Sequence, residues 1–383
     1  MAVVVGGFFF RLFCFKGFDF IFINNRNYEL FLYSNILYIG FSHNPTHMKK
    51  IYFFLVLLIF QAKTLGQSTP NEEFQKTVTH WFSAWILVYQ NIYKIDSITP
   101  VEFIFFDENY VYSTSTVTIN KGENINGPSL LNLKLTWKKA LHHGKITLPN
   151  KDSIPVGITS YASEIPGTAN HSFFVMPLPS FWKKAGVESK ELGLDNLITG
   201  VFLHEFSHSQ QMLNFGIKIT RYEKEHNFGV NTNDDMLQNI FSQNKEYVNL
   251  FNAEVSTFYN SISNKELDQE ELLKGLNLMD KRQKKYLTGK YKTLAAMDDL
   301  FLTMEGLGQY SMYQWLIHPE GGKTDLETVI KGVRRNGRWW SQEEGLALFL
   351  ILERQQASEF WVKNMFGTKS VTIIELIRSN LKK

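Results

Sequence analysis

The chain has a single cysteine, Cys14, in 383 residues, and this scarcity excludes several classes of protein. One thiol cannot form a disulfide framework, and the rest of the chain has no cysteine for a thiolate zinc cluster or a catalytic thiol. A basic surplus is also missing. The formal net charge of +3 arises in the first 66 residues, and the remainder carries nearly equal numbers of basic and acidic residues. Because a nucleic-acid-binding surface needs excess positive charge, we expect no nucleic-acid partner.

The sequence also lacks a hydrophobic run long enough to cross a bilayer. Residues 51–60 form a run of ten apolar residues, whereas a spanning helix needs about 20. Two lysines precede this run and polar residues follow it, which is the pattern of a secretory signal. We therefore predict a signal peptide at residues 48–66, a secreted or periplasmic protein, and no membrane anchor in the mature chain. Residues 1–47 are interpreted as an upstream extension ahead of a true start at Met48.

Hydrophobic periodicity predicts that residues 67–383 form one domain with two lobes, about 67–193 and 194–383. In the first lobe the sequence predicts a helix at 73–95 and strands at 101–106, 110–119, 145–148, 156–161 and 172–176. In the second lobe it predicts helices at 194–216, 235–262, 266–287, 291–317, 325–334, 341–365 and 371–382. The predicted fold class is therefore α+β, with a strand-rich N-terminal lobe and a predominantly helical C-terminal lobe.

One short motif indicates chemistry: residues 204–208 read His-Glu-Phe-Ser-His, which matches HExxH. On a helix, residues four apart lie on the same side, so His204 and His208 could close on one Zn²⁺. Glu205 would lie near enough to take a proton from a water on that metal and later pass it on. The alternative is that both histidines are ordinary core or surface residues. Their position on the apolar stripe of the helix argues against it, because a buried imidazole pair needs partners.

Two histidines and a water leave one ligand position, and three downstream glutamates compete for it. Glu305 is preferred because it interrupts the apolar stripe of a predicted helix. The glycines that follow it, Gly306 and Gly308, could let a neighbouring helix or the metal site come close. Glu254 also interrupts an apolar helix, and could instead orient a ligand histidine. Glu344 has a similar local sequence in a strongly apolar helix.

Two further residues near Glu305 are candidates for contacts with the site or the substrate. Tyr310 could stabilise an oxyanion. However, five residues after Glu305 it points away from the same helix face, which favours a packing role. His318 ends the predicted helix, where it could reach the site or cap the last turn.

The HExxH motif, followed by Glu-Gly-Leu-Gly-Gln-Tyr at residues 305–310, resembles the gluzincin zinc metallopeptidases. The resemblance implies that His204, His208 and Glu305 bind Zn²⁺ and that Glu205 is the general base. It also implies a zincin-like fold, in which the edge strand of a twisted sheet runs above the metal-binding helix.

Residues 172–176, the last predicted strand before that helix, are the expected edge strand. An extended peptide or protein substrate could add to such an edge as a further strand. The chain departs from the best-known gluzincins in its spacing, since 96 residues separate His208 from Glu305. It also lacks the G-x-M-E-N motif with which aminopeptidases of this group bind a free amino terminus.

The sequence therefore predicts an exported zinc-dependent peptidase. One alternative is a non-catalytic binding protein on a zincin scaffold, whose metal is structural or missing. Another is a helical interaction module in which HExxH arose by chance, and which would bind no stoichiometric metal.

Overall fold

A computed structural model describes residues 70–168, 171–228, 232–367 and 369–382. The predicted signal peptide and the upstream extension before it lie outside the described residues. Helix α1, Pro70–Ile86, opens the described chain and continues into a π-helical turn, Leu87–Ile92. These two elements correspond to the helix predicted at residues 73–95.

A six-stranded mixed sheet follows α1. Its strands are β1 Val101–Phe106, β2 Tyr110–Ser113, β3 Glu123–Ile125, β4 Trp137–Leu141, β7 Tyr161–Glu164 and β8 Ser172–Pro177; β5 Lys145–Thr147 and β6 Ser153–Pro155 form a separate hairpin. The order in the sheet is β3-β4-β2-β1-β8-β7. Strands β1 and β8 are parallel, and all other neighbours in this sheet are antiparallel.

The predicted position of the edge strand is wrong. Strand β8, predicted as the edge, lies inside the sheet between β1 and β7, and all its residues are buried. Strand β7 is the edge, and it runs antiparallel to β8. Order along the chain does not give order in space here, because β7 and β8 form a hairpin whose second strand pairs with β1. The predicted strand that corresponds to β7, residues 156–161, also begins five residues before the observed strand.

Helices make up the chain after β8. They are α2 Pro179–Lys184, α3 Leu194–Gln211, α4 Ile217–Glu225, α5 Met236–Phe241, α6 Lys245–Ser261, α7 Gln269–Tyr286, α8 Leu294–Ile317, α9 Leu326–Arg334, α10 Trp340–Gln355, α11 Ser358–Trp361 and α12 Ile373–Asn380. Helix α3 ends in a π-helical turn, Met212–Gly216, so the predicted helix at 194–216 is confirmed over its full length. The mixed α+β class is likewise confirmed, with the sheet first and the helices after it.

Aromatic side chains fix helix α3 on the sheet. The ring of Phe174 in β8 lies 5.5 Å from the rings of both Phe202 and Phe206 in α3. Helix α3 also packs against β7, and on its other side it packs along α8. Almost every residue of α8 is buried, because α10 covers it as well. Among the described residues, no helix combines the length and the apolar character that a membrane span requires.

Candidate metal centre

Two packed helices bring the predicted ligands together. His204 and His208 lie one turn apart on α3, Glu305 lies on α8, and all three side chains are buried. A Cβ atom at Gly308 would lie 2.6 Å from Nδ1 of His204, so α8 can approach this imidazole only with glycine there. A Cβ atom at Gly306 would lie 2.7 Å from the backbone of α10. The two glycines therefore allow the close approaches that the sequence suggested.

The spacing of the three side chains fits a single metal ion. Nε2 of His204 lies 3.2 Å from Nε2 of His208 and 3.1 Å from Oε2 of Glu305. Nε2 of His208 lies 3.3 Å from Oε1 of the same carboxylate. Ligand atoms about 2.0–2.1 Å from a tetrahedral Zn²⁺ are separated from one another by about 3.3 Å. The buried group of two histidines and one glutamate could therefore hold a metal ion.

The protonation states of these groups suit a cation. Burial lowers the pKa of His204 to about 4, although the nearby Glu305 opposes this change. Burial would raise the pKa of Glu305, but His208 and His204 outweigh it and hold that pKa below its usual range. At neutral pH, His204 is therefore neutral and Glu305 is ionised, which is the form in which these side chains bind metals.

Glutamine side chains orient two of the three candidate ligands. Nδ1 of His208 lies 3.2 Å from Oε1 of Gln211 at the end of α3, so an Nδ1–H donor would leave Nε2 free to face the metal. Nε2 of Gln342, on α10, donates to Oε2 of Glu305 at 3.2 Å, and Gln309 donates in turn to Gln342. Gln211 could have been identified from its spacing of three residues after His208. Gln342 could not, because the fold brings it from another helix.

Glu205 lies beside the candidate ligands with its carboxyl group fully buried. Among the described residues, no hydrogen-bond partner reaches either oxygen. Burial raises the pKa of Glu205 well above its ordinary value, Glu305 raises it further, and Arg335 partly opposes both. A buried carboxyl group without a partner is costly, which is typical of a group that exchanges a proton with a ligand or a water.

Three charged residues that the sequence did not indicate interact electrostatically with this site. Burial and then the charge of Glu305 raise the pKa of Asp235 to about 7. The same two influences, with the charges of Asp235 and Glu205, raise the pKa of Asp234 well above its usual value. Arg335 is the third residue. Asp234 and Asp235 precede α5 and Arg335 follows α9, so no local pattern around HExxH could have indicated them.

Glu254 and Glu344, the other two candidates for the third ligand, lie away from the two histidines. Glu254 accepts two hydrogen bonds from Arg282, at 2.7 and 2.8 Å, and Glu344 lies 3.4 Å from the same guanidinium. All three residues are buried between α6, α7 and α10. The prediction that Glu254 orients a ligand histidine is therefore wrong, because a buried arginine binds its carboxylate. Glu344 does not lie with the histidines either.

Tyr310 and His318 also lie away from the candidate ligands. The ring of Tyr310 is fully buried among Tyr93, Phe349 and Trp361, at centroid distances of 5.7–6.3 Å. This is the packing role that its helical position favoured. His318 ends α8, about 20 Å along the helix from Glu305. Its Nδ1 accepts a hydrogen bond from the backbone N–H of Glu320 at 3.1 Å, so it caps a turn.

Known proteins give no further guide to this centre. Comparisons of the chain with protein-family models, with curated proteins and with solved structures found no match. The function of the centre therefore has to be inferred from its own geometry and chemistry.

Proposed function

We propose that this protein is a zinc-dependent peptidase in which His204, His208 and Glu305 hold the metal and Glu205 is the general base. The observation that carries the proposal is the spacing of 3.1–3.3 Å between the three candidate ligands, beside a buried carboxyl group with no hydrogen bond among the described residues. Two imidazoles and one carboxylate form a ligand set that suits Zn²⁺. Catalytic zinc sites commonly have three protein ligands and one position open to water.

The roles of the side chains follow from this arrangement. Zn²⁺ bound there would supply Lewis acidity to a water molecule and to the substrate carbonyl group. Glu205 would accept a proton from the water molecule while the water oxygen bonds to the carbonyl carbon of the substrate. The electron pair of the carbonyl bond moves to the carbonyl oxygen. That pair would then re-form the carbonyl bond as the carbon–nitrogen bond breaks, and Glu205 would return the proton to the nitrogen of the leaving amine.

The position of β7 supports a peptide as the substrate. This strand is the edge of the sheet next to β8 and packs against the metal-site helix α3. Its residues Tyr161, Ala162 and Ser163 are buried, so an extended chain would first have to displace what covers them. It could then pair with the outer backbone groups and be held near the candidate ligands. A sheet edge above the helix that carries HExxH is the arrangement of a zincin-like fold, which we include in the proposal. The proposal also includes export, which rests on the signal-like sequence alone.

Metal content and hydrolysis test this proposal together. Purified protein should contain about one zinc ion per chain by mass spectrometry and should cleave members of a peptide library. Glu205→Gln should retain the zinc and lose at least about 100-fold in rate, because it removes the proton acceptor and keeps the volume. His208→Ala should lose the zinc. His318→Gln, at the far end of α8, is the matched control and should retain both properties.

Three results would contradict the proposal in different ways. Protein without stoichiometric metal would favour a helical interaction module. Zinc-loaded protein that cleaves no peptide would favour a binding protein. Full activity in Glu205→Gln would remove the assigned base while leaving the metal site intact.

A further inference from the structure

Helices α8 and α10 touch backbone to backbone beside the candidate metal centre. A Cβ atom at Gly345 of α10 would lie 2.6 Å from the carbonyl oxygen of Leu302 and 2.7 Å from Cα of Gly306, both in α8. A side chain there would collide with the opposite backbone, so the close crossing requires glycine. Gln342 lies about one turn before Gly345 in α10. Glu305 directly precedes Gly306 in α8. The crossing therefore brings the amide and the carboxylate together.

Gln342 presents its NH₂ group to one oxygen of Glu305. Its Nε2 donates to Oε2 at 3.2 Å, and both side chains are buried. At the other end of the amide, Oε1 of Gln342 accepts a hydrogen bond from Gln309, which lies one turn after Glu305 on α8. The carboxylate can only accept, so the amide cannot turn over without losing both contacts. The direction of the Gln342 side chain is therefore set.

The two oxygens of Glu305 differ in their surroundings. Oε2 accepts from Gln342, whereas Oε1 is buried and no hydrogen-bond donor of the described chain reaches it. Distance to the histidines does not separate them, because Oε2 lies 3.1 Å from Nε2 of His204 and Oε1 lies 3.3 Å from Nε2 of His208. A buried carboxylate oxygen without a donor is costly, and a cation would satisfy it.

We propose that Gln342 is a positioning residue that holds Oε2 of Glu305 away from the metal, so that only Oε1 binds it. This inference rests on the metal site of the proposed function. If Oε2 also moved onto the metal, the hydrogen bond from Gln342 would be lost and a buried amide donor would be left unsatisfied. A carboxylate bound through one oxygen gives the metal three protein ligand atoms, with His204 and His208, and keeps one position open for water.

Two measurements on the metal-loaded protein test this role, and neither depends on activity. The crystal structure of the zinc-loaded chain should place Oε1 at about 2.0–2.2 Å from the ion, and Oε2 outside bonding distance and still beside Gln342. In solution Co²⁺ replaces Zn²⁺ as the probe, because four-coordinate Co²⁺ absorbs visible light more strongly than five-coordinate Co²⁺. We expect Gln342→Met to lose most of this absorption, since both oxygens of Glu305 are then free to bind.

Gln314→Met is the matched control for the absorption measurement. Gln314 of α8 also donates to a carboxylate of α10, that of Glu353, at 2.7 Å. It lies nine residues beyond Glu305, so it supports the same helix contact without reaching the candidate ligands. Its variant should keep the Co²⁺ absorption of the unsubstituted chain, whereas an effect through general loosening of the contact would appear in both variants.

The possible results separate this inference from the proposed function. Zinc bonded to Oε2, alone or together with Oε1, in the unsubstituted chain would overturn the inference and leave the metal site standing. Unchanged absorption in Gln342→Met, or an equal loss in Gln314→Met, would overturn it as well. If Gln342→Met does not fold, the crystal structure of the unsubstituted chain decides alone. A chain that binds no metal would contradict the proposed function, and this inference would fail with it.

Discussion

At the residue scale, Gly308 decides whether His204 can lie against α8. An added Cβ atom would lie 2.6–2.8 Å from three atoms of the imidazole ring, closer than van der Waals contact allows. Gly308→Ala should therefore displace His204 from its position beside Glu305. We expect the zinc affinity to fall at least about 10-fold, as it does when the support of a ligand is disturbed. Competition with a chelator of known affinity measures this change.

Gly200→Ala is the matched control for this prediction. Gly200 also lies in the contact between α3 and α8, but its added Cβ atom would meet the side chain of Met312. Methionine is flexible and can move aside. This variant should keep its zinc affinity, even if it is slightly less stable. Native affinity in Gly308→Ala would show that the ligands tolerate a shift of the imidazole, contrary to our expectation.

The candidate ligands could be predicted from sequence because each follows a local rule. The spacing of HExxH on a helix places His204 beside His208, and an acidic residue on an apolar stripe pointed to Glu305. No such local rule predicts that Arg335 belongs to the site. It acts electrostatically on Glu205 from the turn after α9, whose backbone is left-handed and whose neighbours contact α5 and α10. Such contacts join segments that are distant in sequence, so local patterns do not reveal them.

At the element scale, a buried arginine joins α6 and α7, which pack against each other as a helical hairpin, to α10. Arg282 in α7 is fully buried and binds Glu254 in α6 through two nitrogens. Its Nη1 donates to the hydroxyl group of Tyr247 at 2.6 Å, and Nη2 lies 3.4 Å from Glu344 in α10. The cluster satisfies charges that would otherwise be isolated in an apolar interior. It therefore fixes the hairpin against the helix that also supplies Gln342.

Removing this arginine should destabilise the fold strongly. Arg282→Met leaves the Glu254 carboxylate buried without its cation, beside Glu344, whose pKa burial and Glu254 already raise well above its usual value. We expect a loss of about 3–5 kcal/mol in the free energy of unfolding. Urea unfolding measures this loss. Lys285→Met, in the same helix, removes an exposed ion pair with Glu246 and should have little effect. A small loss in Arg282→Met would mean that Glu254 becomes protonated or hydrated without cost.

Helices were predicted more accurately than strands, for physical reasons. A helix such as α8 has many turns of periodic sequence, and its predicted range differs from the observed one by three residues at one end. The predicted helix at 235–262 is divided because Asn244 caps a new helix with its side chain. Strands β3 and β6, with three residues each, and β4, with five, were not predicted, because their alternation of apolar and polar residues is short or weak. Edge positions are set by pairing, which the sequence of a single strand does not contain.

At the scale of the whole molecule, the candidate metal centre connects the sheet to the helices. Helix α3 packs on β7 and β8, while α8 packs on α10. A metal ion held by His204, His208 and Glu305 would therefore cross-link α3 with α8 at the contact between the two parts of the fold. Because this contact exists only when the chain is folded, metal binding should stabilise the folded state.

The expected stabilisation follows from mass action. Zinc at 100 to 1,000 times its dissociation constant should raise the free energy of unfolding by about 3–4 kcal/mol, measured by urea unfolding with free zinc and with a chelator. Zinc bound by the unfolded chain would reduce this effect, but that chain has one cysteine and ten histidines spread along its length. The gain should therefore be nearly complete. His208→Ala should abolish it, and an equal gain in that variant would show that zinc acts elsewhere on the protein.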